Sequence, residues 1–230
     1  MKLSGLQKLT LLDYPGKVAC TVFTAGCNYR CPFCHNGDLV LPELMPPPLA
    51  EADFFAFLQK RRGVLDGVCV SGGEPLIHED ILAFLERIKQ LGYAVKLDTN
   101  GAFPDKLRAL VEAGLVDYVA MDIKNSPERY AQTVGVDPMD LAPVRESVAY
   151  LLGGAVEHEF RTTVVRQLHT AEDLVNIGKW ISGAERYFLQ AFVDSEYVLQ
   201  GGLSGYSKEE LQALKELVSA FVPGVQLRGI

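Results

Sequence analysis

Short apolar segments rich in β-branched residues alternate with segments of helical period along almost the whole chain of 230 residues. Such alternation with short links predicts a parallel sheet covered by helices. About six strand–helix units are present, fewer than the eight of a closed barrel, so an open partial barrel and a doubly wound sheet both fit. Strands, some running into turns, are predicted over residues 17–24, 67–75, 94–101, 117–124, 157–165, 186–193 and 225–229, and helices over 51–62, 79–92, 103–114, 141–154, 170–183 and 207–221.

Composition excludes several classes of function. The net charge is −7 with both signs interspersed, which argues against a nucleic-acid-binding or polybasic membrane surface. No apolar run approaches the ~20 residues of a membrane span, and the N-terminus lacks the features of a signal peptide. We therefore expect one cytoplasmic domain over residues 1–230. Thiols stay reduced in the cytoplasm, so clustered cysteines there indicate metal binding or catalysis rather than disulfides.

Residues capable of chemistry follow four successive predicted strands. A cysteine-rich loop follows the first strand, "SGGEP" the second, "DTNG" the third, and "MDIK" closes the fourth. Ligands of parallel α/β folds bind at the C-terminal ends of the strands. We therefore expect these segments to contribute to one site.

Three of the five cysteines, Cys27, Cys31 and Cys34, lie within eight residues, with Phe33 directly before the third. Structural zinc takes four protein ligands, and His35 adjoins Cys34 too closely to be a convincing fourth. The remaining cysteines, Cys20 and Cys69, lie in apolar strands and are expected in the core. Three thiolates on a cubane iron–sulfur cluster would leave one iron open to a substrate.

The segments "CNYRCPFC" and "SGGEP" resemble the signature motifs of the radical S-adenosylmethionine (SAM) enzymes. This resemblance implies a partial (β/α)6 TIM-like barrel. It also implies that Cys27, Cys31 and Cys34 hold a [4Fe–4S] cluster whose fourth iron is chelated by SAM. In that family an electron from the cluster cleaves SAM, and the resulting 5′-deoxyadenosyl radical abstracts a hydrogen atom.

A wider set of segments resembles the activating proteins of glycyl radical enzymes: "DYPGK", "CPFCHN", "LDGVCVSGGEP", "VKLDTNG", "DYVAMDIK" and "FRTTVV". The resemblance is strongest to the activating proteins of anaerobic ribonucleoside-triphosphate reductase. Formate-lyase activating enzymes share part of the set, but their late histidine near adenine has no counterpart in "FLQAFVDSEY". The resemblance implies a glycyl radical enzyme as partner and a flavodoxin- or ferredoxin-type electron donor.

The same resemblance implies roles for residues at the strand ends. Gly72 and Gly73 would approach the SAM amino group, and Glu74 would share that site or brace the turn. Asp98 and Thr99 at the end of the next strand, with Asp122, match residues that bind a monovalent cation in formate-lyase activating enzymes.

Two cations complete the set of expected site residues. Lys124 would pair with the SAM carboxylate, the alternative being a surface pair with Asp122. Arg161 lies within a strand, where a cation needs a partner, and this partner is the substrate, SAM or a carboxylate such as Asp122. Two other functions stay open, a radical SAM enzyme acting on a small molecule, such as a deazapurine synthase, and a zinc-stabilised interaction module. The polar segment 124–140 is expected to be a mobile loop.

Overall fold

The computed structural model describes residues 1–230, which divide into two compact units. The first unit contains residues 1–28, 36–99 and 103–120, and the second contains residues 29–35, 100–102 and 121–230. The prediction of a single domain stays a prediction. No helix combines the length and the apolar character that crossing a bilayer requires.

The first unit carries four complete strands and four helices. They are β1 (Leu3–Thr10), β2 (Ala19–Thr24), α1 (Gly37–Val40), α2 (Glu51–Lys60), β3 (Gly67–Gly72), α3 (Ile81–Gln90), β4 (Ala94–Thr99) and α4 (Pro104–Glu112), with a 3-10 turn at Pro75–Ile77. β2, β3 and β4 are parallel neighbours, whereas β1 pairs with β2 in the antiparallel direction. The sequence did not indicate β1, because most of its side chains are partly or fully exposed and show no apolar period.

Helix α3 illustrates why these residues fold as predicted. Ile81, Phe84, Leu85 and Ile88 recur at helical spacing and are all buried. Gly92 follows the helix at φ +90, a left-handed conformation that glycine adopts without steric cost. The apolar stripe of α3 therefore supplies one side of the core of this unit.

The second unit continues the alternation of strands and helices. Its elements are the end of β5 (Tyr118–Asp122), α5 (Tyr130–Val134), α6 (Ala142–Leu152), β6 (Glu157–Val164), α7 (Ala171–Trp180), β7 (Tyr187–Ala191), α8 (Lys208–Ser219) and β8 (Val225–Arg228). β6, β7 and β8 are parallel neighbours. Ser207 caps α8 within a capping box with Glu210, which confirms the predicted N-cap.

The segment 124–140, which the sequence predicted to be a mobile polar loop, is partly helical. It contains α5, whose residues Tyr130, Thr133 and Val134 are buried. The Tyr130 ring lies 6.5 Å from the Tyr29 ring and 6.0 Å from the Trp180 ring, between ring centroids. Five helical residues are too few to show a helical period, so only packing reveals this element.

The strand order separates the two architectures that the sequence left open. The strands follow one another in the sheet in their order along the chain, from β1 to β8. A doubly wound sheet reverses its strand order at a switch point, and no reversal occurs here. The chain therefore folds as an open α/β sheet wound in one direction, which confirms the predicted partial barrel.

Candidate functional site

The glycine turn after β3 packs tightly against the segment that precedes Cys27. A Cβ atom on Gly72 would lie 2.3 Å from the Thr24 nitrogen, and one on Gly73 would lie 1.8 Å from the Gly26 oxygen. The Glu74 N–H donates to this Gly26 oxygen at 2.8 Å. Both glycines are therefore required by a close approach of two backbone segments, beside the first cysteine of the motif.

Glu74 braces this turn, which is one of the two roles that the sequence left open for it. The carboxylate is fully buried, and its Oε1 accepts hydrogen bonds from Leu76 N at 3.0 Å and from Thr99 Oγ1 at 2.9 Å. A buried carboxylate is tolerated only with such partners. Glu74 thereby joins the turn after β3 to Thr99 at the end of β4.

Asp98, also near the end of β4, forms an ion pair that sequence analysis missed. Its Oδ1 contacts Nζ of Lys96, a lysine only 1% exposed, and its Oδ2 accepts from Ser71 Oγ at 3.0 Å. Residues two apart on a strand point to the same face. A lysine inside an apolar strand, two residues before an aspartate, was the signal available in the sequence.

The structure confirms the predicted core position of two of the five cysteines. Cys20 and Cys69 are fully buried in β2 and β3, and burial raises the pKa of the Cys20 thiol to about 12, so it stays protonated. Cys27 and Cys34 are partly exposed, Cys31 is buried, and no disulfide joins any of the five.

Cys27 belongs to the first unit, and Cys31 and Cys34 belong to the second. Within neither unit do three histidine, cysteine or acidic side chains form a group able to hold a metal ion. The assignment of these three cysteines as cluster ligands therefore stays a prediction.

The loop that carries Cys31 and Cys34 is anchored by backbone hydrogen bonds. Arg30 N–H donates to the Val134 oxygen at 2.8 Å, and Gln200 N–H donates to the Pro32 oxygen at 2.9 Å. Helix α5, which supplies Val134, thus helps to hold the cysteine loop. This gives the unexpected helix a structural role next to the motif.

His169 is a second residue that sequence analysis missed. It is fully buried, its Nδ1 accepts from Val165 N–H at 3.1 Å, and its Nε2–H donates to the Lys124 oxygen at 2.8 Å. Its ring lies 6.1 Å from the ring of Phe33, the aromatic residue before Cys34. Burial lowers the pKa of His169, which favours the neutral ring that both hydrogen bonds require.

Lys124, Asp122 and Arg161 form a compact charged group, here called the Asp122 triad. Asp122 Oδ1 accepts from Arg161 Nε at 2.8 Å, and Oδ2 accepts from Lys124 Nζ at 3.0 Å. Of the partners considered for Arg161, the structure shows Asp122. The Asp122–Lys124 pair is also present, although β5 ends at Asp122, so Lys124 follows the strand instead of closing it.

The electrostatics of Lys124 connect it with two motif cysteines. Burial lowers the pKa of Lys124, but the charge of Asp122 and those of Cys31 and Cys34 outweigh burial and raise the pKa above its ordinary value. Lys124 therefore stays protonated, and its side chain remains 19% exposed. It is a fixed cation near the two cysteines, which suits recognition of an anionic group.

His35 occupies a position that the sequence left undefined. Its Nε2–H donates to the Val193 oxygen at 2.8 Å, and its ring stacks on Phe192 with centroids 5.3 Å apart. Phe192 and Val193 follow β7, within the segment where no histidine occurs in the sequence. A histidine does therefore lie beside this segment, but it comes from the cysteine loop.

The chain is similar to curated proteins along different shares of its length. One relative is a Methanocaldococcus jannaschii protein that is named as a glycyl-radical enzyme activating enzyme. It is 29% identical over an alignment of 238 positions, which covers 99% of this chain and 95% of that protein. The pyruvate formate-lyase-activating enzyme of Listeria monocytogenes is 31% identical over 163 residues, 65% of this chain and 63% of the enzyme. The 7-carboxy-7-deazaguanine synthase of Halobacterium salinarum is 38% identical over 94 residues, 39% of this chain and 36% of the synthase.

One solved structure and one family model give further similarities. Streptococcus suis SuiB bound to its precursor peptide SuiA superimposes with a TM-score of 0.71 at 14% identity, covering 90% of this chain and 48% of SuiB. At this identity the likeness concerns the fold alone. The model of the Radical SAM superfamily matches residues 21–181, well over half of the chain and all three cysteines of the motif. This chain belongs to the radical SAM superfamily.

Proposed function

We propose that the protein is a radical SAM activase that generates a glycyl radical on a partner enzyme. The observation that carries this proposal is the similarity to the Methanocaldococcus jannaschii protein over 99% of this chain and 95% of that one. The similarity to a pyruvate formate-lyase-activating enzyme supports the same class of reaction. Both names describe enzymes that activate another enzyme, and the first specifies a glycyl-radical enzyme, which agrees with the motifs of the sequence.

The residues present fit the cofactors of this reaction. Cys27, Cys31 and Cys34 supply thiolates, the ligands that iron–sulfur clusters take, and none of the three is in a disulfide. When bound, the [4Fe–4S] cluster and SAM together supply a carbon-centred radical able to abstract a hydrogen atom. Cys20 and Cys69 lie in the core, so this chain offers no thiolates for a second cluster. We therefore infer an external donor of the flavodoxin or ferredoxin type.

The Asp122 triad is the proposed carboxylate-binding group for SAM. Two cations, Lys124 and Arg161, share one carboxylate, so the triad carries a net positive charge. His169 holds the backbone of Lys124 through the 2.8 Å hydrogen bond to its carbonyl oxygen. Lys124 can thus contact an incoming carboxylate while Arg161 keeps Asp122 paired. The Gly72–Gly73 turn is the proposed contact for the SAM amino group.

The proposed partner is anaerobic ribonucleoside-triphosphate reductase, on the strength of the motif set described above. A test uses the reconstituted protein without oxygen, with SAM, a strong reductant and a peptide copied from the radical loop of the reductase. The glycine of the peptide carries deuterium at its α carbon. We expect a glycyl radical signal by electron paramagnetic resonance and deuterium in the released 5′-deoxyadenosine.

The second candidate function is a radical SAM reaction on a small purine-like molecule. It is favoured by the 38% identity to a 7-carboxy-7-deazaguanine synthase, although this covers only 39% of the chain. The same experiment separates the two functions. The small-molecule function would replace the activase function if neither the peptide nor the full-length reductase transferred deuterium while a purine-like substrate was turned over.

A further inference from the structure

Asp98, Thr99 and Asp122, the residues expected to bind a monovalent cation, are not suited to bind one in this chain. Each of the two carboxylates already contacts a protein cation within its own unit: Asp98 contacts Lys96, and Asp122 contacts Lys124 and Arg161. The hydroxyl of Thr99 donates its proton to Glu74 at 2.9 Å. The positive charge that a bound cation would supply is therefore already present as side chains.

Lys96 is the most informative of these cations. It lies in β4 directly across from Cys69 in β3, and its side chain is 1% exposed. Its Nζ contacts Asp98 Oδ1 and lies 3.8 Å from Cys69 Sγ. Burying an ammonium group is costly unless an opposite charge and further hydrogen bonds compensate for lost water. Lys96 thus depends on Asp98 for its charge to be tolerated.

Asp98 depends equally on Lys96. Its second oxygen accepts from Ser71 Oγ at 3.0 Å, so both carboxylate oxygens have donors from β3 or β4. A potassium or sodium ion at Oδ1 would have to displace the ammonium group or lie beside a like charge. Neither arrangement is favourable in a buried position, because like charges repel more strongly where water is excluded.

We propose that the ammonium group of Lys96 is a built-in counterion for Asp98 and takes the place of an exchangeable monovalent cation. Lys96 is therefore a positioning residue that holds the end of β4 in shape without a bound ion. SAM binding consequently does not depend on potassium or sodium. This last consequence rests on the proposed function, whereas the stability of the protein without cofactors tests the counterion by itself.

The first experiment uses the unaltered protein. Thermal unfolding without cofactors, and calorimetry of SAM binding to the reconstituted protein, are measured in potassium, sodium and N-methylglucamine chloride at one ionic strength. We expect the same unfolding temperature in all three salts and SAM affinities within about twofold of one another. A tenfold or greater gain in affinity, or a clear stabilisation, specific to potassium or sodium would overturn the proposal.

Variants at Lys96 give the matched comparison. Lys96→Ala removes the ammonium group that contacts Asp98 Oδ1 and opens space beside it, so the unfolding temperature of this variant should become higher in potassium than in N-methylglucamine chloride. Lys96→Met fills that space without charge and should be destabilised in every salt. The double variant Lys96→Met with Asp98→Asn removes both charges and should recover stability without any cation.

The double variant keeps the proposal testable if Lys96→Ala does not fold. Recovery of stability in Lys96→Met with Asp98→Asn supports a neutralised pair. A double variant less stable than Lys96→Met alone contradicts the proposal, because Asp98 would then have another source of positive charge. Failure of radical transfer to a partner would leave these stability results unchanged, so the two proposals fail separately.

Discussion

The close contact between Gly73 and Gly26 leads to a quantitative prediction for Gly73→Ala. The new Cβ would lie 1.8 Å from the Gly26 oxygen, far inside the 3.4 Å at which ordinary contacts begin, so the two segments must move apart. That shift breaks the 2.8 Å hydrogen bond from Glu74 N–H to Gly26 and strains the 3.0 Å bond from Gly73 N–H to Thr24.

The expected magnitude follows from these two hydrogen bonds. Each backbone bond contributes about 0.5–1.5 kcal/mol, so Gly73→Ala should lower the free energy of unfolding by roughly 1–3 kcal/mol. Gly26 directly precedes Cys27, so displacement of Gly26 should also reduce the iron bound after reconstitution. Urea unfolding measures the first effect, and iron analysis measures the second.

Gly201→Ala is the matched control, since its Cβ would meet nothing within 4 Å and its φ is not in the left-handed region. It should change the free energy of unfolding by no more than about 0.5 kcal/mol. If Gly73→Ala proves as stable as Gly201→Ala and retains full iron, then the turn does not approach Gly26 closely in the folded protein.

Three further predictions concern the cofactor-binding residues and pH. Replacing Cys27, Cys31 or Cys34 by alanine should abolish iron binding and SAM cleavage, whereas Cys69→Ala should only loosen the core. If a variant of the three motif cysteines retains iron and Cys69→Ala loses it, the assignment of the cluster ligands is wrong. Lys124→Met should weaken SAM binding in calorimetry with the cluster intact, and unchanged affinity would remove Lys124 from the site. Because burial lowers the pKa of His169 below 6.5 in the folded state, its neutral ring stabilises the protein above pH 6.5, and this contribution is lost as the pH falls below that value. His169→Gln should therefore show a shallower loss of stability on acidification, measured by urea unfolding between about pH 5 and 8; equal slopes would contradict the neutral buried ring.

The sequence by itself determined the features that depend on near neighbours. Helix α3 follows from the spacing of its apolar residues, and the cap at Ser207 follows from the glutamate three positions later. The burial of Cys20 and Cys69 follows from the apolar strands that contain them. These are properties of one segment at a time, so one sequence suffices to predict them.

Tertiary structure alone decided which distant residues meet. His169 bonds to Lys124 across 45 positions, and Thr99 donates to Glu74 across 25 positions, with no local pattern that pairs either couple. The sequence places Lys96 two residues before Asp98 in an apolar strand, but only its burial in the folded chain shows that Asp98 must neutralise it. The strand order, and with it the choice of a partial barrel over a doubly wound sheet, also depends on pairing between separate segments. Packing selects these partners because buried charges and hydrogen-bonding groups must be satisfied wherever the folded chain brings them together.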